Sequence, residues 1–328
     1  MKPPDFWQSG AGPWPRILAP LGCAYALAGR LERALARSHK APVQIICVGN
    51  LTAGGSGKTP VAIAVAAALA QTGDTPHFLS RGYGGRLRGP LRVDPACHSA
   101  ADVGDEPLLL AAHAPAWIAR DRVAGAQAAH DGGAQAVILD DGFQDPALHK
   151  DVALLVADGI RGFGNGRVIP AGPLREDIAG GLARADALVI VGPDEAGVAA
   201  EAARHAPHLP ILSARLVPAP ATARLKGRRV IGFAGIGIPA KFRATLEDIG
   251  CTVAGFHAFA DHHPYTEDEL ARLRDNARAA DACLVTTAKD ARRLGAEAMR
   301  DIRDIEVVDI TATFADPAAL SRVLGLSA

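Results

Sequence analysis

Residues 48–60 read "VGNLTAGGSGKTP". The stretch lies between two apolar runs. Val43-Gln44-Ile45-Ile46-Cys47-Val48 predicts a strand, and Val61-Ala62-Ile63-Ala64-Val65-Ala66-Ala67-Ala68-Leu69 predicts a helix ending near Gly73. Strand, glycine loop and helix in that order are the setting of a phosphate-binding loop. Glycines let neighbouring backbone N–H groups converge on an oxyanion, and the helix start adds the positive end of its dipole. Lys58 adds a full charge, and Thr59 offers a hydroxyl to Mg2+. The expected nucleotide-binding segment is Thr52, Ala53, Gly54, Gly55, Ser56, Gly57, Lys58, Thr59 and Pro60. It departs from G-x-x-x-x-G-K-S/T at one place: Thr52 stands where that pattern has its first glycine.

The rest of the chain fits an enzyme built around such a loop. Its 328 residues allow one large domain or two ordinary ones, and 49% hydrophobic content excludes a disordered chain. The formal net charge of +0 offers no basic field for nucleic acid. Five cysteines (Cys23, Cys47, Cys97, Cys251, Cys283) are scattered without a C-x-x-C pair, which suits a reducing compartment.

Strands are expected at residues 75–80, 136–139, 152–157 and 187–191. Each is short and apolar and leads into a loop or helix, which predicts an α/β fold with a mostly parallel sheet. Prolines and small residues in "LVPAPATARLKG" mark residues 216–228 as a linker. Beyond it, "RRVIGFAGIG", "CTVAGFHAF", "ACLVTTA" and "IEVVDI" predict four more strands with helices between. The expected domains are a P-loop domain over 1–215 and a smaller α/β domain over 229–328.

Residues 17–29, "ILAPLGCAYALAG", are too short to span a bilayer. Only Lys2 would serve as the charged region of a signal peptide, and a nucleotide loop follows at once, so export is not expected. Helical spacing gathers Leu18, Leu21, Tyr25, Ala28, Leu31 and Leu35 on one face, with Arg30, Arg33, Arg37 and Lys40 toward its end. A helix packed on the core and one lying on an anionic membrane surface both satisfy that pattern.

Polar residues cluster at strand ends. In "AVILDDGFQD", Asp140 and Asp141 follow four apolar residues, the arrangement that holds Mg2+ opposite a P-loop. A nearby cation would relieve their mutual repulsion. "VGDEPLLLAAH" sets Asp105 and Glu106 at a helix start, where capping alone would explain Asp105. "PAGPLRE" ends on Arg175 and Glu176. "FADHHPYTEDEL" carries Asp261, His262 and His263 before a helix capped by Thr266. His257, His262 and His263 lack the spaced cysteine or HExxH partners of a zinc site, so metal binding by them is not expected.

Seven segments in order, "VGNLTAGGSGKTP", "SRGYGG", "GDEP", "DDGFQ", "GPLRE", "FADHHPYT" and "TTAKDA", resemble the tetraacyldisaccharide 4'-kinase family, the lipid A 4'-kinases of Gram-negative bacteria. They run from residue 48 to about 291 and cover most of the chain. The resemblance implies an ATP-dependent kinase acting on the 4'-hydroxyl of an acylated glucosamine disaccharide 1-phosphate. It further implies a cleft between two domains and work at the cytoplasmic face of the inner membrane, reached through the N-terminal helix. No protein partner is implied. Lys58 would sit on the β- and γ-phosphates. Thr59, Asp140 or Asp141, and Glu176 would hold Mg2+. An Asp105–His262 pair would act on the acceptor hydroxyl, with Asp105 taking the proton and His262 orienting it. Arg122 and Arg175 would face the transferred phosphate and Arg81 the substrate's 1-phosphate, with Glu106 and Gln144 among the substrate contacts. A P-loop GTPase or partition-type ATPase is the competing reading. A GTPase should carry N/T-K-x-D, and in "TTAKDA" Lys289 and Asp290 are adjacent, which is the wrong spacing.

Overall fold

The computed structural model describes residues 4–301 and 305–326. Lys2 and the extreme ends of both expected domains therefore lie outside the described residues. In chain order, β1 (Gln44–Gly49), β2 (Pro76–Ser80), β3 (Leu91–Arg92), β4 (Ala116–Ile118), β5 (Ala136–Asp140), β6 (Val152–Asp158), β7 (Ala187–Val191) and β8 (Ile211–Pro218) enter one sheet. A second sheet takes β9 (Arg229–Ala234), β10 (Thr252–Ala258), β11 (Cys283–Thr287) and β12 (Ile305–Val308). The chain then returns to the first sheet with β13 (Ile310–Phe314) and ends in the helix Pro317–Leu324.

The large sheet runs in the order β13-β8-β7-β6-β1-β5-β2-β4-β3, with only the outermost strands β13 and β3 antiparallel to their neighbours. Its central strands are buried on both faces, which is why they read as continuous apolar runs instead of alternating ones. In β1, Ile46 and Val48 pack toward the helix Lys58–Gln71, while Ile45 and Cys47 join the opposite core, to which Ala126 and Ala129 of the helix Arg122–Asp131 belong. β1 lies between β5 and β6, where the order of strands along the sheet reverses direction. Open α/β sheets bind ligands at such a point, beyond the carboxyl ends of the strands. The P-loop leaves β1 there, and Asp140 ends β5 beside it. The small sheet, in the order β10-β9-β11-β12, is parallel throughout.

The domain boundaries differ from those read in the sequence. The prolines of residues 216–228 do not mark a free linker: β8 runs to Pro218, and Pro220–Leu225 form a short 3-10 turn. β8 alternates buried Leu212 and Ala214 with exposed Ile211, Ser213 and Arg215, so it lacks the apolar run of its neighbours. The run "IEVVDITATF" is split at Asp309, and its halves enter different sheets. The small domain is thus inserted between β8 and β13. Its entry and exit touch, since the Ala219 N–H donates to the Asp309 carbonyl at 2.9 Å.

The N-terminal helix Ala19–Leu35 lies against the large domain through its small residues. A Cβ on Gly22 would come within 2.8 Å of the Val168 carbonyl oxygen, so this approach requires glycine. Arg30 pairs with Asp177 at 2.9 Å and Arg33 with Glu176 at 3.4 Å. These two arginines are thus engaged by carboxylates of the large domain.

The returning C-terminal segment belongs to the large core, where Phe314, Leu320 and Leu324 join the cluster that holds Ile46 and Val61. Leu320→Ala should therefore lower the unfolding free energy of the P-loop domain by about 2–5 kcal/mol in chemical denaturation. A loss below about 1 kcal/mol would mean that the last helix is peripheral to this core.

Candidate active site

The P-loop is shaped by its glycines and by a brace from residues 170–176. Gly57 adopts φ +85° where the loop turns into the helix that begins at Lys58. A side chain there would be strained in the left-handed region, and its Cβ would also press on Val191 at 3.3 Å. The Ser56 hydroxyl is buried with no partner among the described residues. Lys58 Nζ donates to Asn50 Oδ1 at 3.2 Å and lies 3.8 Å from Asp141 Oδ1. Asn50 in turn donates to the Thr52 carbonyl at 2.7 Å, which closes the base of the loop.

Thr52 and Ala53 do not line the cleft, contrary to the sequence reading of residues 52–60. Thr52 forms an antiparallel bridge with Leu174, and the Ala53 N–H donates to the Pro173 carbonyl at 2.8 Å. Their backbone groups fix the loop to its brace. The remaining residues, Gly54 to Pro60, do line the cleft.

Across the loop, Thr59 Oγ1 donates to Asp140 Oδ2 at 3.1 Å. Asp140 is 3% exposed, and its Oδ1 is buried without a partner. Burial, followed by the neighbouring Glu106 charge, pushes this carboxyl up to about 7 despite Lys58. The Thr59 hydroxyl and the Asp140 carboxylate, whose Oδ1 is buried and unpaired, are hard-oxygen groups of the kind Mg2+ takes, so these residues fit that ion. Asp141 is committed differently. Arg175 grips it with two hydrogen bonds, at 2.8 and 3.1 Å, and its backbone sits at φ +60°. Burial opposes ionisation of Asp141, but Lys58, Arg175 and Arg122 outweigh it and hold its carboxyl below the usual range.

Glu176 does not fit the metal role implied by resemblance. It is 1% exposed and carries Arg184 at 2.7 Å, Arg33 at 3.4 Å and the Gln144 amide at 3.1 Å. Two guanidinium groups already compensate its charge. Gln144 also donates to the Asn50 carbonyl at 2.9 Å, so this residue links the base of the P-loop to the 170–176 segment. Arg122, 5% exposed, bonds Asp145 at 2.9 Å and the Asp141 carbonyl at 2.8 Å. Of the three expected arginines, only Arg81 lines the cleft with no hydrogen bond or ion pair among the described residues.

The cleft, about 2020 Å3, opens between the two domains, with the P-loop on one wall and His262 on the other. Asp105 and His262 meet where the two domains touch: His262 Nδ1 donates to Asp105 Oδ2 at 3.1 Å, although 157 residues separate them. Asp105 carries no side-chain cap bond to a helical amide beyond its neighbour Glu106, at 3.0 Å. His262 has φ +58°, uncommon for a residue other than glycine and a mark of positional constraint. Glu106 pairs with Lys289 at 3.0 Å, and Arg293 Nε donates to Asp105 at 2.7 Å. Asn50 and Arg293 were missed in the sequence reading. Asn50 stood inside the opening motif, while Arg293 follows "TTAKDA" at one helical turn from Lys289 and had no local signal.

Residues 14–326 match the family described as tetraacyldisaccharide-1-P 4'-kinase. Proteins named tetraacyldisaccharide 4'-kinase are similar over nearly the full length. One from Rhodospirillum centenum is 53% identical, covering 99% of this chain and 96% of its own. Another from Rhodospirillum rubrum is 49% identical, covering 99% and 97%. A crystal structure described as the "apo" form of LpxK from Aquifex aeolicus in complex with ATP superposes with a TM-score of 0.75 at 27% identity, covering 95% of this chain and 98% of that one. With the P-loop, the Thr59–Asp140 pair and the two-domain cleft already in place, the chain belongs to the tetraacyldisaccharide-1-P 4'-kinase family.

Proposed function

We propose that this chain transfers the γ-phosphate of ATP to the 4'-hydroxyl of an acylated glucosamine disaccharide 1-phosphate, while resting on the cytoplasmic face of the inner membrane. Family membership supports the reaction. The observation that carries the reading is the Asp105–His262 contact at 3.1 Å, made by two domains on the cleft wall opposite the P-loop. A sugar hydroxyl is a poor nucleophile until a base takes its proton. A nucleotide switch would have no use for such a pair. Lys289 and Asp290, the nearest approach to a guanine motif, are spent on Glu106 and on the small domain's own core.

Roles for the other residues follow from what each one touches. Lys58 and the start of its helix would hold the β- and γ-phosphates, and Ser56 Oγ is placed within that cradle. Thr59 and Asp140 would hold Mg2+, which neutralises charge on the phosphate oxygens. Asp141, fixed by Arg175, steers Lys58. Arg81 is the arginine left to meet a substrate phosphate. Because the pair takes Asp105 from the first domain and His262 from the second, the reactive geometry exists only when the domains are together, which limits transfer to water.

The N-terminal helices support the membrane part of this reading. Trp14, Ile17, Leu21, Tyr25, Leu27, Leu31 and Leu35 are all exposed, which does not suit a helix packed into the core. Arg30 and Arg33 hold the opposite side to the protein. No helix among the described residues is long and apolar enough to cross a membrane. The arrangement suits a helix that lies in the interface with its apolar side down.

Three experiments test these roles. Lys58→Ala should lower kcat by about 100-fold or more while the protein stays folded, because the lost charge acts on the phosphates. Normal turnover by that variant would remove the P-loop assignment. Asp140→Asn should raise the Mg2+ concentration needed for half-maximal rate far more than Asp141→Asn, since only Asp140 has an uncommitted oxygen; equal shifts would contradict this ligand set. Replacing Tyr25, Leu27 and Leu31 together by serine should cut partitioning onto anionic vesicles by at least about tenfold. Unchanged partitioning would mean that another surface docks.

A further inference from the structure

The segment "SRGYGGRLRG", residues 80–89, carries three arginines, and the reaction described above uses only Arg81. Arg81 follows β2 and lines the cleft. The chain then folds back along the edge of the sheet. The Ala119 N–H donates to the Ser80 carbonyl at 3.0 Å, and the Arg120 N–H donates to the Arg88 carbonyl at 2.9 Å. Arg81, Arg88 and Arg120 therefore leave from adjoining backbone positions at the carboxyl ends of β2 and β4. The same loop is held from its other side, where the Arg86 N–H donates to the Ala101 carbonyl at 3.0 Å and the Leu87 N–H to the Asp102 carbonyl at 2.9 Å.

All three residues are exposed. None of their guanidinium groups has a hydrogen bond or ion pair among the described residues. The carboxylates next to them in the chain and the fold are spent elsewhere. Asp102 holds Arg86 at 2.6 Å and accepts Ser99 Oγ at 2.7 Å. Asp121 caps its own helix, accepting from the Val123 and Ala124 N–H groups at 3.0 and 3.1 Å. Three like charges that start from one place repel one another, and nothing described within the protein offsets them. A phosphate group would do so, because its charge and its several acceptor oxygens match guanidinium forks.

The order of strands decides which phosphate. Along the carboxyl edge of the sheet the order is β1-β5-β2-β4. The P-loop leaves β1, Asp140 ends β5, Arg81 follows β2 and Arg120 follows β4. With neighbouring strands about 4.8 Å apart, β4 lies about 14 Å from β1. The three arginines are thus displaced sideways from the phosphates that Lys58 would hold. They lie on the acceptor's side: Tyr83, in the loop that begins with Arg81, sets its ring 6.3 Å from that of His262. In the acceptor the 4'-hydroxyl and the 1-phosphate sit on different sugars, at opposite ends of the disaccharide. With the 4'-hydroxyl beside His262, the second sugar can run along this loop and carry its phosphate to the arginines.

We propose that Arg88 and Arg120, together with Arg81, bind the acceptor's 1-phosphate and set a preference for an acceptor that carries one. The proposal rests on the kinase reading given above and adds to it a specificity site away from the reacting atoms.

The test is steady-state transfer from ATP in a neutral detergent with two acceptors, the acylated disaccharide 1-phosphate and the same disaccharide without its 1-phosphate. The unaltered chain should favour the first by about 100-fold in kcat/KM. Arg88→Gln and Arg120→Gln combined should raise KM for the phosphorylated acceptor by about 10-fold or more, with kcat and KM for ATP unchanged. The same double variant should treat the acceptor without a 1-phosphate as the unaltered chain does. Each single variant should lose part of the preference. A structural role for the two arginines predicts instead that both acceptors suffer alike, and that result would overturn the proposal. So would an unaltered chain that does not distinguish the acceptors, or a double variant that keeps the full preference. Phospholipid headgroups offer the same phosphate chemistry, so partitioning onto vesicles of phosphatidylglycerol and phosphatidylcholine is measured in parallel and should change less than about twofold. A double variant that leaves the vesicles yet keeps its acceptor preference would assign the arginines to the bilayer and reject the site. No transfer to either acceptor by the unaltered chain would refute the kinase reading itself.

Discussion

A single buried negative charge governs how this molecule is put together. Asp105 belongs to the large domain, yet the side chains that compensate it, His262, Lys289 and Arg293, all come from the small one. Leaving such a carboxylate uncompensated costs several kcal/mol. Docking of the domains is therefore coupled to the electrostatics of the site, and apolar contact need not drive it. The Lys241–Asp158 ion pair adds a second bridge of the same kind at the carboxyl end of β6. Both bridges line the cleft or border it, so substrate and domain interface share their charges.

The P-loop shows a related division of labour. Its first residues are spent on architecture: Thr52 and Ala53 pair with residues 173 and 174, and Asn50 ties the loop base to Lys58. Only from Gly54 onward does the loop face open space. The missing first glycine is explained by this brace, because a residue in an antiparallel bridge has extended backbone and does not need glycine's freedom. The 170–176 segment thus braces the glycine loop, and Glu176 serves as a buried anchor for Arg184 and Arg33.

What could be read in the sequence was what is local. The glycine loop between β1 and its helix and the apolar strands at 136–139, 152–157 and 187–191 depend on neighbours in the chain, and each strand lies within one residue of its expected bounds. The Asp105–His262 pair was reached only through resemblance, since nothing near either residue points to the other. Long-range facts left no such trace. A proline-rich stretch resembles a linker whether or not an edge strand precedes it, and "IEVVDITATF" shows no break at the residue where it changes sheets. The metal role of Glu176 came only from resemblance, and its two arginine partners, Arg184 and Arg33, lie too far along the chain to be read beside it. Arg293 carried no signal at all until the fold placed its helix beside Asp105.

The hydrogen bond between Ala219 and Asp309 marks the place where the small domain is spliced into the large one. A ribosome delivers this chain from its amino end, so β8 emerges with one edge open and waits there. The whole of the small domain must be made before β13 and the final helix arrive to cover that edge. The nucleotide-binding half is thus begun first and finished last. A nascent chain halted before Ile310 would carry an intact P-loop beside an unsealed strand, a ready template for pairing with another copy. Translation rate through the inserted domain, and chaperone cover of β8 during it, then become determinants of yield that no contact within the finished enzyme reveals.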